Sequence, residues 1–569
     1  MDAHQDKPLI IQNDGSLLLE VLNPQFETAR NKIILFAVLE KSPNYIHTYK
    51  INSMSLWNAA ANNISAEYIK EILEKYSKFR VPSNISKKIT DSINRYNLLS
   101  LEKLDDKLIF KSKDSKIIKE FINYSCLKPY IKERLDDNSL IIFERFRGVF
   151  KQEIMKLGYP IKDIAGYKKG ESLNISLLPN TKSGKILELR DYQKDAISSF
   201  YEEGSDLGGN GVLVLPCGSG KTIIGLGIIC KIKNETLILT SSTTAVRQWI
   251  SEILDKTTLT EEIVGEYTGT LKEVKPITVA TYQILTHKAS KDSKFLNMEL
   301  FNKRKWGLII YDEVHLLPAP IFRYTANIQA TRRLGLTATL VREDKKEEEV
   351  FTLIGPKKAD IPWIQMEKQG WIASARCIEV RVPLSLQWKE KYFKANKRQR
   401  YRVAASNPLK INILREIIAA HHDDAILIIG QYVEQLEQIA EELSIPIITG
   451  KIKQKERDDI YRAFRNNKIK ILVVSKVANF ALDLPDAKVA IQVSGSFGSR
   501  QEEAQRLGRI LRLKESNNAF FYTLVSQNTV DQEYAMKRQL FLVEQGYDYQ
   551  IREKEFDLGK ESVCYSNSI

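Results

Sequence analysis

The chain has 569 residues, enough for about three or four domains at roughly 100–200 residues each. Hydrophobic residues make up 43% and charged residues 27%, with 27 glycines and 17 prolines, which excludes collagen-like and low-complexity sequences. Its 85 Lys and Arg against 71 Asp and Glu leave a net charge of +14, which favours a polyanionic partner such as nucleic acid.

The longest apolar run, 33–39, falls well short of the roughly 20 residues a membrane span needs. The polar start, Met1 to Lys7, lacks the apolar core of a secretory signal, so no membrane partner is expected. Cys126, Cys217, Cys230, Cys377 and Cys564 show no Cys-x-x-Cys spacing. The expectation is reduced, mostly buried thiols in a cytoplasmic protein.

In chain order, the segments 8–11 and 17–21 flank Asn13-Asp-Gly-Ser16 and predict a hairpin. Asn23-Pro24 predicts a helix start with Pro in the first position and Phe26, Ala29, Ile33 and Ala37 at helical spacing. Ser65 is expected to cap a second helix that buries Ile69, Ile72, Leu73 and Tyr76. A third helix at about 84–96 precedes two strands at about 98–103 and 107–112. Three helices with a two-stranded wing would suit a nucleic-acid or protein-docking module.

Periodicity is weak over 138–185, and 179–184 reads as a linker. Strand-like runs follow at 211–215, 237–241, 277–282, 307–311 and 333–336. After a lapse between about 342 and 410 they resume at 425–430, 445–450, 469–475, 487–494 and 519–525. Strands alternating with helical patterns imply an α/β class of parallel sheets covered on both faces. Two such domains in series, with an insertion between them, is the reading adopted.

Leu213-Val-Leu-Pro-Cys-Gly-Ser-Gly-Lys-Thr222 ends a strand and opens a helix. Leu215 stands where the strict phosphate-loop pattern has its first glycine. Gly218, Ser219 and Gly220 still suit a backbone that turns its N–H groups toward phosphate. Lys221 would reach the β- and γ-phosphates, and the Thr222 hydroxyl would meet Mg²⁺. Trp306-Gly-Leu-Ile-Ile-Tyr-Asp-Glu-Val-His315 is a buried strand ending in two carboxylates. Asp312 is the expected second Mg²⁺ ligand, and Glu313 the group that orients or deprotonates the attacking water. ATP and Mg²⁺ are the implied cofactors. His421 and His422 lack partners at metal spacing and are expected at the surface.

With these motifs the chain resembles the superfamily 2 helicases, which implies two RecA-like motor domains. Arg190-Asp-Tyr-Gln193 resembles the adenine-reading Q motif, assigning Arg190 and Gln193 to the nucleotide. The segments 239–245 and 279–283 resemble strand-contacting motifs, with Thr243 and Thr281 as contacts. Thr337-Ala-Thr339 resembles the motif that links the ATP site to the nucleic-acid groove. Gln505-Arg-Leu-Gly-Arg-Ile-Leu-Arg512 matches motif VI, with Gln505 toward the nucleotide. Arg509 and Arg512, three apart on one helix face, would act as arginine fingers.

The likeness narrows to the XPB family through residues 215–222, 336–344 and 503–512, and continues through 524–529 and 537–547. His47-Thr-Tyr-Lys-Ile51 and Ser55-Leu-Trp57 resemble that family's N-terminal domain. Arg342, Glu343 and Asp344 match its RED motif. Motif V departs from the family, with Ala478 and Asn479 in place of the usual Gly-Asp, while Asp483 is kept. The resemblance covers nearly the whole chain and is to the compact, bacterial-type members, for which a nucleoid association is implied.

Residues 389–402 hold seven basic residues and three aromatics between the motors, resembling the family's thumb. There Lys394, Lys397, Arg398 and Arg400 would track phosphates while Tyr392, Phe393 or Tyr401 lie against bases. A solvated helix face is the rival reading, and a loose nuclear-import signal another. The implied domains are an N-terminal mixed α+β accessory domain (1–137) and a damage-recognition-like or linker segment (138–186). They continue with a first motor (187–345), a RED-adjacent and thumb-like insertion (346–410), a second motor (411–557) and a polar tail (558–569).

The function implied is ATP-dependent 3′–5′ DNA unwinding, in single-stranded or forked DNA, within nucleotide-excision repair and with a repair nuclease or other repair protein as a candidate partner. A duplex translocase and a damage-docking module with a regulatory ATPase are the rivals.

Overall fold

The computed structural model describes residues 6–42, 45–216, 218–288, 295–329, 331–339, 347–475, 487–497, 500–508, 510–511, 518–547 and 549–554. The chain divides into two compact units, Met1–Leu215 with Gly220–Ile361, and Pro216–Ser219 with Pro362–Ile569.

The first unit opens with the expected hairpin of β1 (Leu9–Ile11) and β2 (Ser16–Glu20), where Asp14 accepts from Ser16 N at 2.9 Å. Helix α1 (Phe26–Ile33) starts later than the sequence suggests. Asn23 Oδ1 accepts from Gln25 N at 2.9 Å, so Asn23-Pro24 forms a turn instead of the first helical turn. Strands β3 (Val38–Lys41) and β4 (Ile46–Lys50) complete an antiparallel sheet ordered β1-β2-β4-β3. Helices α2 (Ser53–Ala61), α3 (Ala66–Tyr76) and α4 (Ser83–Tyr96) follow. Ser65 caps α3 as expected, and Ile69, Ile72, Leu73 and Tyr76 are its buried face.

The two strands read as a wing, β5 (Leu99–Leu104) and β6 (Lys107–Ser112), belong to a larger sheet. After α5 (Ser115–Asn123), strands β7 (Ile131–Arg134) and β8 (Ser139–Ile142) extend it beyond β6. Helix α6 (Arg147–Lys156) then leads to β9 (Lys162–Asp163), which extends it beyond β5. The β6–β8 pairing crosses the expected boundary at 137/138, so residues 138–163 belong to one folded domain with the strands before them, and the linker half of the expectation for 138–186 does not hold there. Strands of two to four residues carry too little alternation to be read. Phe110, Phe121 and Phe150 pack at the centre of this domain.

The motor of the first unit begins with α7 (Asp191–Tyr201), β10 (Asn210–Val214), α8 (Lys221–Ile232), β11 (Thr236–Thr240), α9 (Thr243–Lys256), β12 (Val264–Tyr267), β13 (Ile277–Thr281) and α10 (Tyr282–Leu285). It ends with β14 (Leu308–Asp312), α11 (Ala319–Thr325), β15 (Arg332–Thr337), α12 (Glu347–Leu353) and β16 (Lys357–Asp360). Its seven strands are parallel and ordered β12-β13-β11-β14-β15-β10-β16. Alternate residues feed two cores. Leu213, Ile238, Ile310 and Leu336 enter one, while Val212, Leu237, Ile309 and Tyr311 enter the other. This double burial is why the strands read as nearly continuous apolar runs.

The second unit contains α13 (Trp363–Lys368), β17 (Ser374–Val382), α14 (Leu386–Lys394), α15 (Lys397–Ala405), α16 (Lys410–Ala420), β18 (Ile426–Gly430), α17 (Val433–Leu443) and β19 (Ile447–Ile448). It continues with α18 (Gln454–Arg465), β20 (Ile471–Ser475), β21 (Val489–Gln492) and a helix, Arg500–Leu507. Strand β22 (Asn518–Ser526), a helix, Val530–Glu544, and β23 (Tyr549–Glu553) complete it. Its parallel order is β19-β20-β18-β21-β22-β17-β23. Numbered by appearance within each motor, both sheets run third, fourth, second, fifth, sixth, first, seventh. The molecule therefore carries two parallel α/β domains of one topology.

The expected insertion at 346–410 is correspondingly smaller. Strand β16 is an edge of the first sheet, and β17 lies between β22 and β23 in the second. Of the described thiols only Cys377 is buried, while Cys230 is partly buried and Cys126 exposed. Among the described residues no helix is long and apolar enough to cross a membrane.

Candidate active site

Strand β10 runs directly into the phosphate loop. Leu215 is fully buried and its N–H donates to Thr337 O at 2.9 Å, so this residue still pairs as strand. That is why a glycine is not needed there. Gly218 (φ 83°) and Gly220 (φ 78°) then pass through the left-handed region that favours glycine, and α8 starts at Lys221. A Cβ on Gly220 would stand 2.8 Å from Gln193 Nε2. Gln193 is buried, and its Oε1 accepts from Arg190 N at 3.0 Å, so the Arg190–Gln193 turn packs against the loop at Gly220. Thr222, the second residue of α8, is half-buried.

Register places the other half of the site. Strand β15 lies between β10 and β14, pairing Val214 with Thr337 and Asp312 with Leu336. The three strand tips therefore end side by side, at the carboxyl edge where parallel sheets bind ligands. Glu313 turns out of β14 with φ 51°, a left-handed conformation that is costly for a non-glycine residue and typical of functional sites. The turn sets Glu313 Oε1 2.7 Å from Lys221 Nζ. Asp312 accepts from Glu313 N at 3.0 Å through Oδ1 and from Trp249 Nε1 at 2.9 Å through Oδ2. Tyr282 OH donates to Asp312 O at 2.8 Å.

The two carboxyls titrate in opposite directions. Burial, reinforced by Glu313, pushes Asp312 up to about 6, against the pull of Lys221 and the Trp249 N–H. Burial also pushes on Glu313, but Lys221 and His315 outweigh it and hold this carboxyl below its ordinary value. A cation would relieve Asp312. Among the described residues no group of three or more His, Cys, Asp or Glu could hold a metal by itself. Asp312 with the Thr222 hydroxyl is instead a sparse donor set, suited to Mg²⁺, which completes its shell with phosphate and water.

His315 is buried, with Nδ1 2.6 Å from Thr337 Oγ1 and 3.6 Å from Glu313 Oε2. Thr337 Oγ1 donates to Thr339 O at 2.5 Å, which leaves the Nδ1 hydrogen on His315. The structure thus brings Arg190, Gln193, Lys221, Thr222, Asp312, Glu313, Thr337 and Thr339 into one connected region of the first unit.

The candidate strand contacts divide differently. Thr243 is exposed at the start of α9. Thr281 is buried and spends its hydroxyl capping α10, accepting from Ile284 N. Thr337 and Thr339 are buried, with the Thr337 hydroxyl bonded to His315 and to Thr339 O. In the thumb, Tyr392 and Tyr401 are buried, Tyr392 OH accepting from Val530 N and Tyr401 OH donating to Gly495 O. Neither ring is available to stack on a base, because each fills the contact between the thumb helices and their own motor. Phe393 alone keeps its ring exposed. Arg400 lies over Tyr392 and donates to Ala395 O, and Lys394 pairs with Glu390, whereas Lys397 and Arg398 are exposed.

Gln505 falls in the helix Arg500–Leu507, and its side chain is outside the described residues. Arg342, Glu343, Asp344, Asp483, Arg509 and Arg512, with Ala478 and Asn479 of motif V, also lie outside them. His421 is not at the surface. It is buried, bonded to Asp424 and to Tyr522 OH at 3.0 Å each, while His422 is exposed as expected. Sequence reasoning missed Trp249 and Tyr282 as partners of Asp312. The available signal was Gly225, a helix-interior glycine that permits a close approach.

Three family models match the chain. "ERCC3/RAD25/XPB C-terminal helicase" covers residues 366–568, "Type III restriction enzyme, res subunit" residues 186–342, and "Helicase conserved C-terminal domain" residues 9–136. A Mycobacterium tuberculosis protein named DNA 3′-5′ helicase XPB is 46% identical over 97% of this chain and 99% of its own length. The chain belongs to the XPB family of DNA helicases. A Kineococcus radiotolerans protein of the same name is also 46% identical, over 96% of each chain. A Saccharomyces cerevisiae relative, named a general transcription and DNA repair factor IIH helicase/translocase subunit, is 31% identical over 96% of this chain and 72% of its own. This XPB-family chain thus has the helicase motifs and two motors of matching topology.

Proposed function

We propose that the chain is an ATP-dependent 3′–5′ DNA helicase that couples hydrolysis in the first motor to movement along single-stranded or forked DNA. The observation that carries this reading is the Lys221–Glu313 pair at 2.7 Å, set beside Asp312 at three adjacent strand tips. Lys221 exchanges Glu313 for phosphate oxygens as ATP enters, and the released Glu313 orients water and takes its proton. Asp312 and Thr222 would hold Mg²⁺, which when bound neutralises charge on the transferring phosphoryl group. Arg190 and Gln193 are assigned to the base, with Gln505 on the nucleotide side of motif VI. Arg509 and Arg512 are assigned to the γ-phosphate by motif alone. Such fingers can contribute about 10³–10⁵ in rate.

The His315–Thr337 bond supports a path from Glu313 to the motif that continues into Arg342, Glu343 and Asp344. Thr243, Thr281 and Asp483 are assigned to the strand and its coupling, and Lys394, Lys397, Arg398 and Arg400 to phosphate tracking. Relatives named for helicase and repair activity support a role in DNA repair; a repair nuclease or another repair protein is the partner assigned to that role. ATP hydrolysis is to be measured with single-stranded DNA, duplex DNA and RNA. Stimulation by single-stranded or forked DNA is expected. Stimulation by duplex alone would favour a translocase, and by RNA alone would refute the reading.

A further inference from the structure

We infer that Trp249 is a positioning residue that joins the strand-facing start of α9 to the carboxylate assigned to magnesium; this rests on the proposed DNA-motor function. Trp249 sits in the middle of α9, 2% exposed, with its Nε1 donating to Asp312 Oδ2 at 2.9 Å. Its ring lies on α8, where a Cβ at Gly225 would stand 2.6 Å from Trp249 Cη2. A glycine inside a helix costs about 1 kcal/mol relative to alanine, so Gly225 is retained against propensity, and the indole is what it accommodates.

Any aromatic ring could fill that seat. Only the indole supplies the N–H. Asp312 Oδ1 already accepts from Glu313 N at 3.0 Å, and Tyr282 OH holds the Asp312 carbonyl at 2.8 Å. The Tyr282 bond fixes the backbone, while Glu313 N and Trp249 Nε1 each hold one carboxylate oxygen, so Trp249 sets the orientation of the Oδ2 side and leaves lone pairs on both oxygens. Groups that orient a ligating carboxylate in this way typically contribute 10- to 100-fold to metal affinity or activity.

The other end of the same helix faces outward. Thr243 is exposed at the start of α9, and Ser242 caps it by accepting from Ala245 N at 3.2 Å. Gln283 Nε2 donates to Ser241 O at 2.6 Å, tying this loop to the second strand-contacting motif. Thr243 and Trp249 are about 9 Å apart along the helix, with no joint between them. A nucleic-acid strand that loads the start of α9 therefore acts on Asp312 through one rigid element, seated on the phosphate-loop helix at Gly225.

Two substitutions separate the N–H from the packing. Trp249→Phe keeps a ring and removes the donor, whereas Gly225→Ala keeps the indole and crowds its seat. Binding of a fluorescent ATP analogue to the full chain is measured in EDTA and with titrated Mg²⁺. In both variants the Mg²⁺ needed for half-maximal tight binding should rise about 10-fold while affinity in EDTA changes by less than about two-fold. DNA stimulation of ATP hydrolysis should fall in parallel. An unchanged Mg²⁺ requirement in Trp249→Phe overturns the assignment. Equal loss of affinity with and without magnesium also overturns it, since Trp249 would then only support α8. A raised requirement with undiminished DNA stimulation overturns the link to the strand. If the unsubstituted chain shows no stimulation by DNA, the motor reading fails, and the magnesium titration still decides the Asp312 role of Trp249.

Discussion

Lys221 and Glu313 hold each other at 2.7 Å, so ATP must compete with a carboxylate for the ammonium. Glu313→Gln weakens that competition. The variant should bind ATP at least as tightly as the parent while hydrolysing it about 10²–10⁴ times more slowly, as equilibrium binding and single-turnover measurements would show. Weaker binding by this variant would contradict the exchange of partners. Lys221→Ala should instead lose nucleotide affinity. Thr337→Val keeps the volume but leaves His315 Nδ1 and Thr339 N without their hydroxyl partner, at a cost of about 1–3 kcal/mol by denaturant unfolding. The placing of the two carboxylates beside a cation was legible because two adjacent acids at the tip of a buried apolar strand are costly to desolvate unless a cation meets them there. Trp249 was not, because its partner Asp312 is distant in sequence and only folding brings the indole to the strand tip.

Among the elements, long apolar strands and capped helices were readable, as with α3 behind Ser65 and β11 inside its run of Leu and Ile. Strand β17 was hidden by its charges. Glu379 is fully buried in that strand, paired with Arg381 at 2.7 Å and accepting from Gln539, so polar letters stand at interior positions. The thumb was legible as a basic, aromatic segment, but periodicity could not show that Tyr392 and Tyr401 face inward. With Arg400 over Tyr392 and Lys394 beside Glu390, Lys397 and Arg398 are the residues best placed to meet phosphate. Replacing both by Ala should flatten the slope of log K against log[salt] by about 1.4 on single strands or about 1.8 on duplex. Parallel lines for parent and variant would return the thumb to a solvated face.

Across the whole molecule, the shared strand order of the two sheets accounts for the repetition of strand texture along the sequence. The domain over 97–166 was the least legible part. Its short strands depend on a buried cluster in which Asp163 meets Arg147 at 2.6 Å and Lys151 at 2.8 Å. Burial alone would raise the Asp163 carboxyl, but Lys151 and Arg147 hold it well below the ordinary 3.8. Its stabilisation is therefore complete above about pH 4 and is lost as pH falls through the lowered folded value. Asp163→Asn leaves two buried cations short of a counter-charge and should cost about 3–5 kcal/mol, read from denaturant midpoints at neutral pH. A cost near zero would show that water already compensates this cluster.

The most direct measurement for the motor as a whole is unwinding of a short duplex carrying one single-stranded tail, 3′ or 5′, with ATP and Mg²⁺. The 3′-tailed duplex should be separated in an ATP-dependent manner and the 5′-tailed one should not, with Glu313→Gln inactive on both. Separation only from the 5′ tail, or an equal rate by Glu313→Gln, would contradict an ATP-driven 3′–5′ helicase.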